Sequence, residues 1–477
     1  MNGRCVYQSW FGPDLNQQGG RQSEFRPVLH AVFATMPAPK ASPLCIPRVA
    51  IACQGGGSHT AFTAGVLAYL FLAFEHFERR GEGGRWFELL GLSGTSGGAI
   101  TAAMAWSAAP DRSWAEGARR VLRYWNLNKA DLDPRGKPPL WWSEYYGNAA
   151  SRWLASWQDV LPEAWQNLVP TVSFAPSGAV SELVQARMKA DMRTALGLAA
   201  DAEQIAGRPG LEIFVGAVDV VNPEGEPQTA FRTFPERPGA PLRLDELLAS
   251  ACIPEIFTAR PLSVERHDGS GLREARFFWD GLYSQNPPIN DFFIDRRRDA
   301  KPDLLWVVQI NPNRYEGSAC GPKTPDEQAD RRNELSGNLS LGQELRSIDV
   351  VNKIAFELAE LPAVDGPLAD YKPVTVCFVR LGQREGGPLA RFRLDYASKL
   401  DRDPAFIDAL IAEGIASAHR AALAHQLVRP HACMNAVCAY AYPDPPWPDP
   451  AELEVLLGDP ELAAQWRALV GAGTAGR

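Results

Sequence analysis

The sequence is short of the residues on which several common architectures depend. Its eight cysteines, at positions 5, 45, 53, 252, 320, 377, 433 and 438 of 477, lack the paired spacing of a zinc site and the density of a disulfide scaffold. Free thiols are expected, and His431, Cys433 and Cys438, the closest cluster, have no matching second half, so no metal is assigned. An excess of positive charge is missing too. Asp and Glu outnumber Lys and Arg by 56 to 48, a net charge of -8, which argues against nucleic acid as a partner because phosphate binding needs a positive field. The run Arg296-Arg297-Arg298 is bracketed by Asp295 and Asp299 and reads as a solvated face. Residues Met1 to Gly20 hold no apolar central segment, so no secretory signal is expected there. The most apolar window, residues 61 to 74, is shorter than the ~20 residues that cross a bilayer. The expected location is the cytoplasm, or peripheral attachment to a membrane surface.

What is present centres on residues 49 to 106. Val49 to Cys53 is a short apolar run that empties into Gly55-Gly56-Gly57, and Ala61 to Phe74 is apolar almost throughout. This predicts a buried strand, a loop with exposed backbone amides, and a buried helix whose amino-terminal dipole faces the loop. A second strand, Phe87 to Ser93, leads into Gly94-Thr95-Ser96-Gly97-Gly98, and a small-residue helix, Ala99 to Trp106, leaves it. A serine on a tight strand-to-helix turn is strained and brings strand and helix very close, so a Cβ on either flank would collide. Gly94 and Gly98 remove those atoms and leave the Ser96 hydroxyl at a helix amino terminus, where negative charge is favoured.

Residues 1 to 46 show no sustained period and are expected as an irregular arm. Eight of the 14 tryptophans fall between Trp106 and Trp165, among Pro134, Pro138 and Pro139, so residues 107 to 178 are expected as an insertion of short helical pieces. Its rings suit either a subsidiary core or the wall of an acyl pocket that touches a membrane interface. Further on, Leu211 to Val221, Phe277 to Trp279, Leu304 to Ile310 and Val374 to Leu381 read as strands. Residues 179 to 197, Leu244 to Ala251, Leu341 to Leu358 and Phe406 to Val428 read as helices, and 313 to 335 as a polar connection. The alternation predicts an α/β core with a mainly parallel sheet. Asp449-Pro450 and Asp459-Pro460 each open a short closing helix in the tail, 441 to 477.

A serine hydroxyl needs a base. Asp280 ends an apolar strand, precedes Gly281, and opens a loop carrying Asn286-Pro287-Pro288; Asp268-Gly269, in a polar stretch, is the decoy. A triad of Ser96, Asp280 and His419 or His425 is the alternative, although both histidines sit in an alanine-rich helix rather than on a loop after a strand.

These motifs resemble the patatin-like phospholipase family over roughly residues 47 to 312. Gln54 to Leu67 is similar to the family's oxyanion block, Gly94 to Gly98 to its elbow, Asp280-Gly281 to the site of its aspartate, and Ala249 to Pro254, with Phe257 beyond, to a segment beside the site. The resemblance implies a three-layer αβα fold, with 313 to 440 completing the domain. It also implies a Ser96-Asp280 dyad cleaving phospholipid or other acyl esters through an acyl-enzyme, an oxyanion hole from Gly55, Gly56, Gly57 and Ser58, and no cofactor. The family usually carries arginine or lysine then glycine where this chain has His59-Thr60. Oxyanion support from His59 therefore depends on a group charged only below its pKa, near 6.5 when unperturbed. A lipid-binding protein on the same scaffold, without catalysis, is the competing expectation.

Overall fold

The computed structural model describes residues 46–107, 113–130, 148, 178–222, 230–236, 240–254, 256–266, 270–313, 321–361, 363–427 and 445–474. Residues 1 to 45 of the expected arm, most of the tryptophan-rich insertion, Asp268, and the cluster of His431, Cys433 and Cys438 lie outside them.

Alternation along the strands sets the layers. In β1 (Arg48–Cys53), Val49, Ile51 and Cys53 point into one apolar cluster while Ala50 and Ala52 point into another. In β7 (Leu304–Gln309), Leu304, Trp306 and Val308 face the first cluster, and Leu305 and Val307 the second. Such strands are buried on both faces, as the continuous apolar runs imply. The sheet order is β8–β7–β1–β2–β3–β6–β5, where β2 is Glu88–Thr95, β3 Glu212–Asp219, β5 Arg260–Glu265, β6 Arg273–Asp280 and β8 Thr375–Arg380; β4 (Phe231–Phe234) also pairs with β3. From β8 to β3 every pairing is parallel. The β6 and β4 pairings to β3, and β5 to β6, are antiparallel.

The larger cluster packs α1 (Ala61–Arg79), α2 (Gly97–Trp106), α3 (Trp114–Asn128) and α7 (Pro404–Leu423) on one face. The other face is covered by α6 (Pro325–Ala359), through Leu341 and Ile348, and by Phe292 of the β6–β7 connection. Before β3 the chain forms α4 (Gly178–Leu196), and between β3 and β6 it forms α5 (Leu244–Ser250). Gly57–Arg79 is long and apolar enough for a membrane span, yet 94% of its apolar window is buried in this protein. It is a core helix.

Two sequence expectations change. The polar stretch before 335 is not a connection throughout: α6 starts at Pro325, where Thr324 Oγ1 accepts the Glu327 amide and the Glu327 carboxylate accepts the Thr324 amide, both at 3.2 Å. This capping box, with proline in the first turn, was legible as Thr-x-x-Glu. The strand expected around Phe277–Trp279 is the second half of a longer strand paired with β5, and it runs antiparallel to its other neighbour. In the tail, Asp449 caps a 3₁₀ turn (Pro450–Leu456) and Asp459 caps α8 (Pro460–Thr474). Trp447, Leu453 and Trp466 there join the main core.

Helices α1 and α7 cross at two glycines. A Cβ on Gly65 would lie 2.0 Å from the Ile411 carbonyl oxygen, and one on Gly414 2.1 Å from that of Phe62. Alanine normally favours a helix interior over glycine by up to ~1 kcal/mol. Here Gly65→Ala or Gly414→Ala is expected to destabilise by ~1–3 kcal/mol through overpacking, read as a lower urea midpoint at unchanged m.

Candidate active site

Ser96 stands between β2 and α2 with φ 55° and ψ -132°. For a residue with a Cβ this conformation is held by its surroundings, at a cost of ~1–3 kcal/mol. The surroundings are backbone. A Cβ on Gly94 would lie 2.7 Å from the Ala99 nitrogen, and one on Gly98 2.5 Å from the Cys53 carbonyl oxygen. The elbow glycines are thus required where the sequence places them. A Cβ on Gly55 would meet the Ser96 Cβ at 2.9 Å, so the glycine loop lies directly against the serine. The Ser96 amide donates to Ser250 Oγ at 2.9 Å, and the Ser250 hydroxyl donates to the Gly216 carbonyl at 2.6 Å. Ser250, fully buried, ties the elbow to β3.

Asp280 reaches the same place by an unexpected route. Antiparallel β6 should end at the opposite edge of the sheet from Ser96. However, β2 pairs with β3 only up to Thr95 opposite Gly216, and β6 pairs with the continuation, Ala217 opposite Asp280 through Asp219 opposite Phe278. The other edge of Val215–Val218 is occupied by β4, so β2 and β6 share one edge of β3 and meet head-on at their carboxyl ends. A Cβ on Gly281 would lie 2.4 Å from the Gly216 oxygen and 3.0 Å from Thr95 Cγ2. The residue before Ser96 and the residue after Asp280 are therefore in close approach. Asp280 is 1% exposed; its amide donates to the Cys252 carbonyl at 2.9 Å and its Oδ1 accepts the Leu282 amide at 2.8 Å.

The glycine loop corrects one assignment. The Gly55 amide donates to Asn286 Oδ1 at 2.6 Å and is not available to a substrate oxyanion. The amides of Gly56, Gly57 and Ser58 meet no acceptor among the described residues. Gly57, at φ 55°, is pressed against Lys399, whose carbonyl oxygen lies 2.3 Å from where a Cβ would stand. A Cβ on Gly97 would lie 3.0 Å from the Gly57 oxygen, so the first amide of α2, which has no partner within its helix, opens beside the loop.

His59 is not a cation. It is 3% exposed, its Nε2 lies 2.7 Å from Ser398 Oγ, and its ring meets Phe406 edge-on at 6.0 Å. Burial, and then the neighbouring Lys399 charge, hold its pKa well below the ordinary value. A buried imidazole of lowered pKa does not supply the charge that the expected oxyanion support from His59 would need. Burial lowers Lys399 to about 8, against the pull of Asp330, Glu334 and Asp395.

The triad histidines are elsewhere. His419 Nδ1 lies 2.8 Å from the hydroxyl of Tyr69, eight residues along α1 from Ala61, about 12 Å of helix away from the loop. His425 is exposed beyond the end of α7. Burial raises the Cys252 thiol to about 12, with the Asp280 charge adding to the effect, so it is no competing nucleophile. No group of metal-ligating residues occurs among the described residues.

Sequence reasoning did not foresee how α6 props the loop after Asp280. The Ser340 hydroxyl accepts the Asn286 amide at 2.7 Å, and one oxygen of Glu344 accepts the amides of Ile289 and Asn290 at 2.9 and 2.7 Å. Burial lifts Glu344 to about 7. The signal was there only as polar residues at helical spacing in a segment whose partner sequence cannot name.

The αβα sandwich thus holds a strained serine on a strand-to-helix turn, a buried aspartate just beyond the close approach of Thr95 and Gly281, and glycine-loop amides that meet no acceptor among the described residues. The profile described as patatin-like phospholipase matches residues 51–293, more than half of the chain. The chain belongs to the patatin-like phospholipase family, and so at a coarse level to the lipid hydrolases. No curated protein matches it. Among solved structures, VipD from Legionella pneumophila is similar at 10% identity and a TM-score of 0.28, covering 80% of this chain and 71% of that one.

Two outcomes follow from this geometry. Ser250→Ala leaves the Ser96 amide unpaired and should lower unfolding free energy by ~1–3 kcal/mol in urea titrations. Glu344 is protonated in the folded protein up to about 7 but ionises earlier when unfolded. Its contribution to stability is therefore present at acid pH and lost as pH rises through about 7. Glu344→Gln keeps an oxygen for both amides and should match wild type near pH ~4 but exceed it by ~1–3 kcal/mol near pH ~8. Equal pH dependence of the two melting curves would count against this account.

Proposed function

We propose that the protein hydrolyses carboxylic esters of lipids, phospholipids or lysophospholipids in the first place, through an acyl-enzyme on Ser96 with Asp280 as the base. The observation that supports this reading is the head-on meeting of β2 and β6 along one edge of β3, which sets the residue before Ser96 against the residue after Asp280, next to loop amides that meet no acceptor among the described residues.

Asp280 takes the hydroxyl proton as Ser96 Oγ attacks the ester carbonyl. The amides of Gly56, Gly57 and Ser58 hold the oxyanion, with the first amide of α2 beside them. One good donor of this kind is typically worth about 3 kcal/mol in the transition state. Collapse breaks the ester C–O bond, and the departing alcohol receives the proton from Asp280. Water then attacks the acyl-serine, giving its proton to the Asp280 carboxylate, and the fatty acid leaves as Ser96 Oγ recovers a proton. Lodging Ser96 in a strained turn is consistent with this role, because it holds the oxygen ready before substrate arrives.

The test is covalent labelling by a fluorophosphonate with mapping of the adduct by mass spectrometry. Wild type is expected to label at Ser96, Ser96→Ala not at all, and Asp280→Asn about 10³-fold more slowly or worse, with folding checked by circular dichroism. Folded wild type that takes no label but binds phospholipid vesicles would replace this reading with the non-catalytic one.

A further inference from the structure

The loop's own titratable side chain, His59, is buried with its pKa held well below the ordinary value. A lysine from far down the chain nevertheless packs against the same loop through its backbone and Cβ. Lys399 sits in a 3₁₀ turn, Ala397–Leu400, packed on Gly57: its carbonyl oxygen and its Cβ lie 2.3 and 3.3 Å from where a Gly57 Cβ would stand. Its side chain is 7% exposed. The ammonium donates to Asn311 Oδ1 at 2.8 Å and to Asn333 Oδ1. Both acceptors are neutral, so no direct ion pair to them cancels the charge.

The chain of contacts leads back to the site. The Asn311 amide donates to Gln54 Oε1 at 2.9 Å, and Gln54 immediately precedes the glycine loop. The carboxamide oxygens of Asn311 and Asn286 are taken by Lys399 and by the Gly55 amide, while both buried amino groups, Asn311 Nδ2 and Asn286 Nδ2, have no acceptor among the described residues. Both abut Gly337 of α6, at 2.5 and 2.9 Å from its Cβ position. The layer behind the loop therefore holds several donors and one ammonium, whose field is opposed by Asp330, Glu334 and Asp395.

We propose that Lys399 is the electrostatic positioning residue of the oxyanion loop, its ammonium behind Gly56–Ser58 taking the part that a basic side chain in the motif plays elsewhere in the family. The inference rests on the ester-hydrolase reading. Groups facing Lys399 include His59 on the loop, Asp330 and Glu334 on α6, and Asp395 ahead of its own turn; Arg393 acts on Asp330, and Arg331 pairs with Glu334. The acids oppose loss of the proton, burial promotes it, and the balance places Lys399 at about 8.

The experiment measures the rate of fluorophosphonate labelling at Ser96 from about pH 6 to about pH 10. In wild type the rate should fall as pH rises through about 8, as the ammonium loses its proton. Lys399→Arg retains the charge and should move that limb to higher pH. Lys399→Gln should label about 10-fold more slowly at neutral pH, less than the ~100-fold typical of losing a direct donor, and show no such limb. Asn333→Asp keeps the lysine, places a carboxylate beside it, and should also move the limb upward, which decides the matter if the glutamine variant does not fold. Wild-type rates in Lys399→Gln, or a limb unmoved in both Lys399→Arg and Asn333→Asp, would overturn the proposal. An NMR titration of His59 needs no reactive serine: removing the cation in Lys399→Gln should make the imidazole easier to protonate, and an unchanged titration refutes the coupling. Absence of labelling in wild type sinks the hydrolase reading and leaves Lys399 to be judged by that titration.

Discussion

The rest of the structure depends on backbone approaching backbone, with no side chain between, at the end of β2. Gly55, Gly94, Gly98 and Gly281 each occupy a position where a Cβ would come within 2.7 Å of a main-chain atom. That density of contact holds Ser96 in a conformation it would leave if the neighbours gave way. It also explains why the loops converging on the serine are fixed by hydrogen bonds to buried side chains rather than by apolar packing. Ser250, Asn286 and Ser340 each bind a main-chain amide there, because unpaired amides in so dry a place are expensive.

Strand β3 and helix α6 carry this constraint outward. β3 serves β2 on one stretch and β6 on the next, and the β4 hairpin partner closes its other edge. α6 lies over the opposite face from α1 and offers Gly337, Ser340 and Glu344 to the loop after Asp280 and to the residues behind the glycine loop. The glycine of α6 at 337 is what lets two carboxamides rest on helix backbone.

Much of the fold was legible in the sequence. Continuous apolar runs identified β1, β2, β3, β7 and β8 to within a residue or two, because parallel strands buried on both faces leave no other reading. The elbow was legible for a different reason: the steric need at Gly94 and Gly98 restricts the residue types tightly. What was not legible is pairing. Phe277-Phe278-Trp279 reads as a strand, but nothing in it says that it runs antiparallel and pairs with only the last residues of β3. Nor does Gly55 differ in sequence from Gly56, although Asn286 claims the amide of the first alone. Lys399 is one lysine among many until the fold brings its turn onto Gly57.

The join between β3 and β6 spans three residue pairs, from Ala217 to Asp219, whereas β2 is laced to β1 and β3 along most of its length. The two halves of the site are thus unequal in mechanical terms. Short ladders at the end of a strand open more readily than long central ones, so the serine side behaves as the anvil and the aspartate side as the part that swings. A fluctuation that parts three pairs would part Asp280 from β3 and leave the rest of the sheet standing, so on the proposed reading readiness for reaction is a local property rather than one shared with global stability.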